Sequence, residues 1–450
     1  MKRKRISSDT TRGRKQTEEV SQVETPYSGS LFSDLPKDIQ LNILIRVSIK
    51  GIFVLKCVCK TWYDIVSDPE FAKLHFDLAE VYPLIRTSFS RGGSKMVHLM
   101  QPNKDDFELN LGMCDHTLSK PGCVSTVHDK IEARFEVPKI YGLMKTHNGH
   151  GIVTCNGLLF SPNMSDRHRP IVCNPVTGEF INLPRVPKMI EFGWNKINYG
   201  FGFSPATNQY KVIRMSKRDI PLGNEAEIHI LGTKTWKNID FFTQAMPAHP
   251  PAYLNGFLYW SSYLKPLSIF SFDIEKERFG SLSAPPLNKP YNNVGVLGGE
   301  LCICEVLESG VHVWIMKNNG TEKVWSKVFS FDHMYSRQRR YYARFRPIKY
   351  MNDGALLMFN SGEDALVYMD PKENQLRYLK VCQCKIDSEV AGIAHIPSFV
   401  SLKHALSGQN VKVYNVQSSC AKVVQRPRYH RSCKLPQRHV IYEGEVTNIK

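Results

Sequence analysis

The chain has no long apolar run and no secretory signal at its beginning. None of its 450 residues lies in a run approaching the roughly 18–20 apolar residues that a membrane helix needs. The first five residues, Met1 to Arg5, are basic and lack the apolar core of a signal peptide. We therefore expect an intracellular protein, in the nucleus, the cytoplasm or both, with no membrane partner.

The motifs of common enzymes are also missing. There is no H-E-x-x-H zinc motif, no phosphate-binding P-loop and no complete G-x-S-x-G nucleophile motif. The sequence from Gly202 to Ala206 comes nearest to the last, but its proline and alanine suit a turn between strands. Gly200 and Gly202 lack the third glycine and the following helix of a dinucleotide site. We expect no catalytic residue and no cofactor.

Cysteine is too sparse for a disulfide scaffold, with 12 residues in 450, and in a reducing compartment these residues stay thiols. Zinc modules use wider spacings such as C-x2-C, which does not occur, so we predict no metal site. Three pairs have Cys-x-Cys spacing: Cys57/Cys59, Cys302/Cys304 and Cys382/Cys384. In a strand this spacing puts both side chains on one face, and we predict that the two later pairs lie in a core.

The formal net charge of +17 is unevenly distributed. Two basic clusters begin the chain, Lys2, Arg3, Lys4 and Arg5, and then Arg14 and Lys15. This pattern predicts a nuclear import signal, and the alternative is a solvated, disordered tail over residues 1–30. Residues 404–450 form a second basic tail. Because neither tail has a known nucleic-acid module, we do not favour a nucleic-acid partner.

Residues 31–78 have the periodicity of helices. In the first predicted helix an apolar residue recurs every four positions, at Leu35, Ile39, Ile43 and Val47. Leu44 widens this apolar stripe. Gly51 ends this pattern, and a second helix is predicted with Leu55, Val58, Trp62 and Ile65 on one face. Asp68 and Pro69 predict the start of a short third helix.

This helical segment carries more apolar surface than it can bury alone. Between Ile39 and Val66, 18 of 28 residues are apolar, and so small a unit is marginally stable by itself. We predict that part of this surface is covered by a partner, and a private helical core is the alternative. The candidate binding residues are Leu35, Pro36, Ile39, Leu44, Val58 and Trp62.

Residues 80–403 consist of short strands separated by turn signals. Dipeptides that supply positive φ in tight hairpins recur before apolar strands: Asn156-Gly157, Asn255-Gly256, Gly298-Gly299 and Asp353-Gly354. The glycines at 256, 299 and 354 are 43 and 55 residues apart, close to the repeat of about 40–50 residues of a four-stranded propeller blade. We predict a small all-α unit followed by an all-β propeller-like domain. A two-sheet sandwich is the alternative.

Two groups of sequence motifs resemble those of a known family. Leu35 to Ile39 and Cys57 to Trp62 resemble the F-box of plant proteins, at residues 31–78. The later motifs resemble the plant F-box-associated domain, which is related to kelch propellers. These motifs are residues 155–159, 174–179, 200–205 and 255–260. Val47 to Gly51 departs from the family, which usually has Leu-Pro-Val-Lys-Ser there. We expect Gly51 to loosen the connection between the first two predicted helices and to lower the affinity of the F-box for its adaptor protein.

The resemblance implies a non-catalytic substrate receptor of an SCF-type cullin-RING ubiquitin ligase. The F-box would bind a Skp-type adaptor and, through it, a cullin and a RING protein. The propeller-like domain would bind a target protein whose contact residues the sequence does not identify. Two alternatives stay open, a nuclear protein associated with nucleic acid and a non-degradative scaffold that uses the F-box only for assembly.

Overall fold

The computed structural model of the chain describes a defined set of residues. They are residues 32, 34–89, 94–109, 131–140, 152–162, 169–185, 197–218, 223–241, 247, 249–261, 268–288, 293–307, 309–319, 322–332, 345–381, 388–406 and 411–416. The import signal predicted at Lys2, Arg3, Lys4, Arg5, Arg14 and Lys15 lies outside them, as do Cys382 and Cys384 and residues 417–450.

Four short helices form a helical unit at the beginning of the described chain: α1 (Lys37–Leu44), α2 (Ile49–Leu55), α3 (Lys60–Ser67) and α4 (Pro69–Leu78). The second predicted helix is therefore two helices, because the chain turns between Lys56 and Cys59. Asp68 caps α4 as expected, since its carboxylate accepts a hydrogen bond from the Glu70 N–H at 2.9 Å.

We expected Gly51 to end the helical pattern, and it does not. It lies inside the first turn of α2, where its N–H donates to the Ser48 hydroxyl at 3.2 Å. A Cβ at this position would lie 2.4 Å from Cγ1 of Val47, so the close approach of Val47 requires glycine. The effect of Gly51 is thus the ordinary cost of glycine in a helix, about 0.5–1 kcal/mol, rather than a loosened loop.

Twenty-six strands follow in the described residues, with a 3-10 turn at Lys104–Asp106 and a last short helix α5 (Leu402–Ala405). The strands are β1 (Tyr82–Phe89), β2 (Ser94–Met100), β3 (Glu108–Leu109), β4 (Ile131–Ile140), β5 (Val153–Cys155), β6 (Leu158–Ser161), β7 (Ile171–Cys173), β8 (Glu179–Asn182), β9 (Ile197–Ser204), β10 (Gln209–Arg218), β11 (Gly223–Ile230), β12 (Lys237–Ile239), β13 (Ala252–Leu254), β14 (Phe257–Ser261), β15 (Ser268–Asp273), β16 (Arg278–Ser283), β17 (Asn293–Leu297), β18 (Glu300–Val306), β19 (Gly310–Asn319), β20 (Glu322–Asp332), β21 (Phe345–Tyr350), β22 (Leu356–Asn360), β23 (Ala365–Asp370), β24 (Gln375–Lys380), β25 (Ser388–His395) and β26 (Tyr414–Asn415).

These strands form the six antiparallel sheets of a β-propeller, which confirms the predicted fold class. Blades 1 to 5 have the order β5 to β8, β9 to β12, β13 to β16, β17 to β20 and β21 to β24 from the centre outwards. Two-residue strands extend the outer edges of blade 1 (β26) and blade 5 (β3). All six residues of β23 are buried, as expected where a blade is covered on both faces by its neighbours.

Blade 6 joins the two ends of the propeller sequence. Its order is β25-β1-β2-β4, so the innermost strand comes from the end of the domain and the other three come from its beginning. The pairing of β25 with β1 runs from Tyr82 opposite His395 to Phe89 opposite Ser388. This pairing closes the ring, and it places β1 directly after the helical unit.

The hairpin turns agree with the dipeptides in three of four places. Both residues have positive φ at Asn156-Gly157 (47° and 76°), and the same holds at Asn255-Gly256 and Gly298-Gly299. At the fourth place only Gly354 has positive φ (85°). The connection there spans residues 351–355 instead, and Asp353 accepts a hydrogen bond from the Ala355 N–H at 3.1 Å, so it is a longer loop.

The packed domain extends past residue 403, where we placed the start of the C-terminal tail. Leu402 and Leu406 are buried beside blade 1, with exposures of 0% and 4%. The Glu179 carboxylate accepts hydrogen bonds from the Leu402 N–H at 2.6 Å and the Ser401 hydroxyl at 2.9 Å. Because β26 also pairs with β8, the described residues 411–416 belong to the propeller as well.

The helical unit packs directly on the propeller. One core cluster contains residues of all four helices together with Phe135 of β4 and Phe399, which follows β25. The Phe399 ring centroid lies 5.7 Å from that of Phe53, 6.3 Å from that of Phe71 and 5.1 Å from that of His75. Part of the apolar surface that we assigned to a partner is therefore covered by the chain itself.

Candidate interaction sites

The six residues predicted to bind a partner have different exposures. Pro36, Ile39 and Val58 are exposed, and Val58, at 57%, is the most exposed large apolar residue in the described part of the chain. Leu35 and Trp62 are half-buried, and the Trp62 ring lies edge-on to Phe32 with centroids 5.1 Å apart. Leu44 is 2% exposed and belongs to the core shared by the helical unit and the propeller.

Helix α1 has apolar residues on two sides. Its buried side consists of Gln40, Leu41 and Leu44, whereas Ile39 and Ile43 point away and are 41% and 45% exposed. Ile39 and Ile43 are one helical turn apart, so they lie on the same side of the helix. The four-residue stripe in the sequence therefore marks the exposed side of α1.

Further exposed apolar residues lie around α2 and α3. Val54 and Tyr63 are 49% and 52% exposed. Neither was among the predicted binding residues, and the only sequence signal for them was the general excess of apolar residues in this segment. We call Ile39, Ile43, Val54, Val58 and Tyr63 the exposed apolar set. A single exposed apolar residue is ordinary, but five within 25 residues of chain make this unit a candidate for an interaction surface.

A second candidate site is the central cavity of the propeller. It has a volume of about 710 Å³ and is lined by the innermost strands of five blades, namely β5, β13, β17, β21 and β25. The linker residues Ala79, Glu80 and Val81, between α4 and β1, form part of its wall. The cavity therefore adjoins the junction between the helical unit and the propeller.

Polar side chains hold the walls of this cavity in register. The Asn293 amide of blade 4 donates to the Phe345 carbonyl of blade 5 at 3.4 Å. Thr154 of blade 1 and His395 of blade 6 are joined by a hydrogen bond of 3.0 Å between Oγ1 and Nδ1. Burial lowers the pKa of His395 to about 3, so this imidazole is neutral at physiological pH and acts as a hydrogen-bonding group.

The described residues contain no group of three or more histidine, cysteine, aspartate or glutamate side chains placed to hold a metal ion. Cys302 and Cys304 are 0% and 2% exposed, which confirms the predicted core position of this pair. Burial raises the pKa of both thiols, so they remain protonated. No helix in the described ranges is long and apolar enough to cross a membrane.

Comparison with known proteins agrees with this architecture. The F-box domain matches residues 32–74, and the F-box associated beta propeller domain matches residues 120–404, more than half of the chain. Two F-box/kelch-repeat proteins of Arabidopsis thaliana are each 27% identical to the chain, over 56% and 59% of its length. The chain spans 60% and 65% of their own lengths.

F-box protein CPR1, also from Arabidopsis thaliana, is 23% identical over 78% of this chain and 86% of its own length. The matches confirm the resemblance to plant F-box proteins, and the F-box match covers the helical unit up to residue 74. The chain belongs to the family of proteins with an F-box-associated β-propeller domain, and its helical unit is the F-box.

Proposed function

We propose that this chain is the substrate-recognition subunit of an SCF-type cullin-RING ubiquitin ligase. The F-box binds a Skp-type adaptor, which connects it to a cullin and a RING protein, and the propeller binds the target protein. The chain itself is non-catalytic, and the other subunits supply ubiquitin transfer. The basic clusters of residues 1–15 support a location in the nucleus, the cytoplasm or both.

The observation that carries this proposal is the exposed apolar set. The propeller covers one side of the F-box through Phe135 and Phe399, yet Ile39 and Val58 remain 41% and 57% exposed. Pro36 is exposed beside Ile39, whereas Leu44 supports the surface from within the core. Apolar surface left open on a unit that has already packed against its own chain favours a protein partner.

The test is co-purification of a Skp-type adaptor with full-length variants. Ile39→Glu combined with Val58→Glu places two charges on the exposed apolar set without entering the core, and we expect adaptor binding to be lost. Val324→Glu is the matched control, since Val324 is a 43% exposed valine on β20 of the propeller, and it should bind as the wild type does. Equal adaptor recovery from both variants would refute the assignment.

The same double variant separates a ligase subunit from a scaffold. A receptor that cannot recruit the ligase retains its targets, so affinity capture with the double variant enriches them. Re-expression of the wild type should then shorten the half-life of a captured target and increase its ubiquitin conjugates. Unchanged half-life with intact adaptor binding would instead favour the non-degradative scaffold.

A further inference from the structure

We propose that the central cavity binds a small organic anion with an apolar body, whose acidic group pairs with Lys349. The cavity volume of about 710 Å³ falls within the roughly 300–1,000 Å³ of pockets that enclose small molecules. The residues that line it include the aliphatic Val294, Val296, Ile348 and Ile393. These side chains suit a ligand that is largely apolar.

The charged residues of the lining favour a negatively charged group on this ligand. Arg346 and Lys349 line the cavity with one carboxylate, that of Glu80. His395 adds no charge, because its imidazole is buried and neutral. Arg346 already interacts with other groups, so the attraction for an anion that enters the cavity rests on Lys349.

Lys349 is the residue best placed to exchange partners. Its ammonium lies 3.1 Å from Oε2 of Glu80 and 5.4 Å from the centre of the Tyr82 ring. The Lys349 side chain is 22% exposed, whereas that of Glu80 is 68% exposed. An exposed carboxylate loses little free energy when it leaves an ion pair for water. A ligand anion can therefore replace Glu80 without leaving the lysine charge uncompensated.

This exchange predicts effects of opposite sign at two neighbouring residues. Lys349→Gln removes the charge that pairs with the anion and weakens binding, whereas Glu80→Gln removes the competing carboxylate and strengthens it. Each effect should amount to a change in Kd of about fivefold or less, because the pair is partly exposed. Lys327→Gln is the matched control, since Lys327 lies 5.7 Å over the Trp314 ring on blade 4, away from the cavity.

The experiment is a fluorescence titration of the full chain with 8-anilinonaphthalene-1-sulfonate, which has an apolar body and one acidic group. We expect saturable binding that Val296→Trp abolishes by filling the cavity, with near-UV circular dichroism confirming that this variant is folded. Octanoate should displace the probe, and the neutral octanamide should displace it much less well.

Three results would overturn the proposal. If a folded Val296→Trp protein binds the probe as the wild type does, the probe is bound elsewhere, for example at the exposed apolar set. If Lys349→Gln and Glu80→Gln shift the Kd in the same direction or not at all, Lys349 does not pair with the ligand. Equal displacement by octanoate and octanamide would exclude an anion site. No measurement involves the adaptor, so the outcome is independent of the proposed ligase role.

Discussion

Phe399 should control how firmly the F-box is held on the propeller. This side chain is 7% exposed and comes from the segment after β25, but its ring neighbours are Phe53 of α2 and Phe71 and His75 of α4. The Lys56 ammonium lies 5.5 Å over the same ring. The substitution Phe399→Ala thus removes one group from the propeller side and leaves a cavity that both domains line.

The expected cost can be estimated from these contacts. Truncating a buried phenylalanine to alanine lowers the free energy of unfolding by about 3–5 kcal/mol, and the cation–π contact of the half-buried Lys56 adds at least about 0.5–1 kcal/mol. The loss should fall on the junction, because the ring contacts α2 and α4 and the propeller blades keep their own cores. Phe399→Leu, which preserves most of the volume, should cost less than about 1.5 kcal/mol.

Hydrogen exchange separates the junction from the rest of the molecule. In Phe399→Ala the amides of α2 and α4 should exchange about 100-fold faster or more, which corresponds to roughly 3 kcal/mol. The amides of β14 and β23 should keep the protection of the wild type. Unchanged exchange in α2 and α4, or an equal loss in β14 and β23, would show that Phe399 does not hold the F-box in place.

Two further predictions concern buried and strained positions. Burial lowers the pKa of His75 to about 4. Between about pH 6.5 and pH 4 only the unfolded state binds this proton, so the free energy of unfolding decreases as the pH is lowered through this range, by up to about 3 kcal/mol. When unfolding by denaturant is measured at pH 7 and at pH 5, the stability lost between the two pH values should be smaller for His75→Gln than for the wild type. An equal loss would contradict this. Gly157→Ala should lower the thermal midpoint more than Gly299→Ala. Both have positive φ, but only at Gly157 would the new Cβ meet a neighbour, Ser398, at 2.2 Å. Equal shifts would contradict it.

Features encoded within a few residues could be predicted from the sequence. The dipeptides Asn156-Gly157 and Asn255-Gly256 supply positive φ at two successive positions, and they form the expected tight turns. Asp353-Gly354 differs because the Asp353 side chain bonds to the Ala355 N–H and stabilises a longer loop. A side-chain contact of this kind cannot be inferred from the dipeptide alone.

Features that depend on distant parts of the chain could not be predicted. Leu44 and Ile39 are both apolar residues of α1, and the sequence gives no reason to assign one to the interior and the other to the surface. Leu44 belongs to the core cluster that includes Phe399, more than 300 residues away in the chain, so the choice depends on distant residues. The central cavity is equally non-local, because its walls come from five blades.

The closure of the propeller by β25 has a consequence for the order of events during synthesis. The F-box leaves the ribosome more than 300 residues before β25 and Phe399, and β1 and β2 leave it more than 280 residues before them. At about 5–20 residues per second, the F-box waits roughly 15–65 s before Phe53 and Phe71 can be covered by their own chain. During this interval the nascent protein exposes both the surface meant for the propeller and the surface proposed for the adaptor. The residues translated near the end complete the domain translated first.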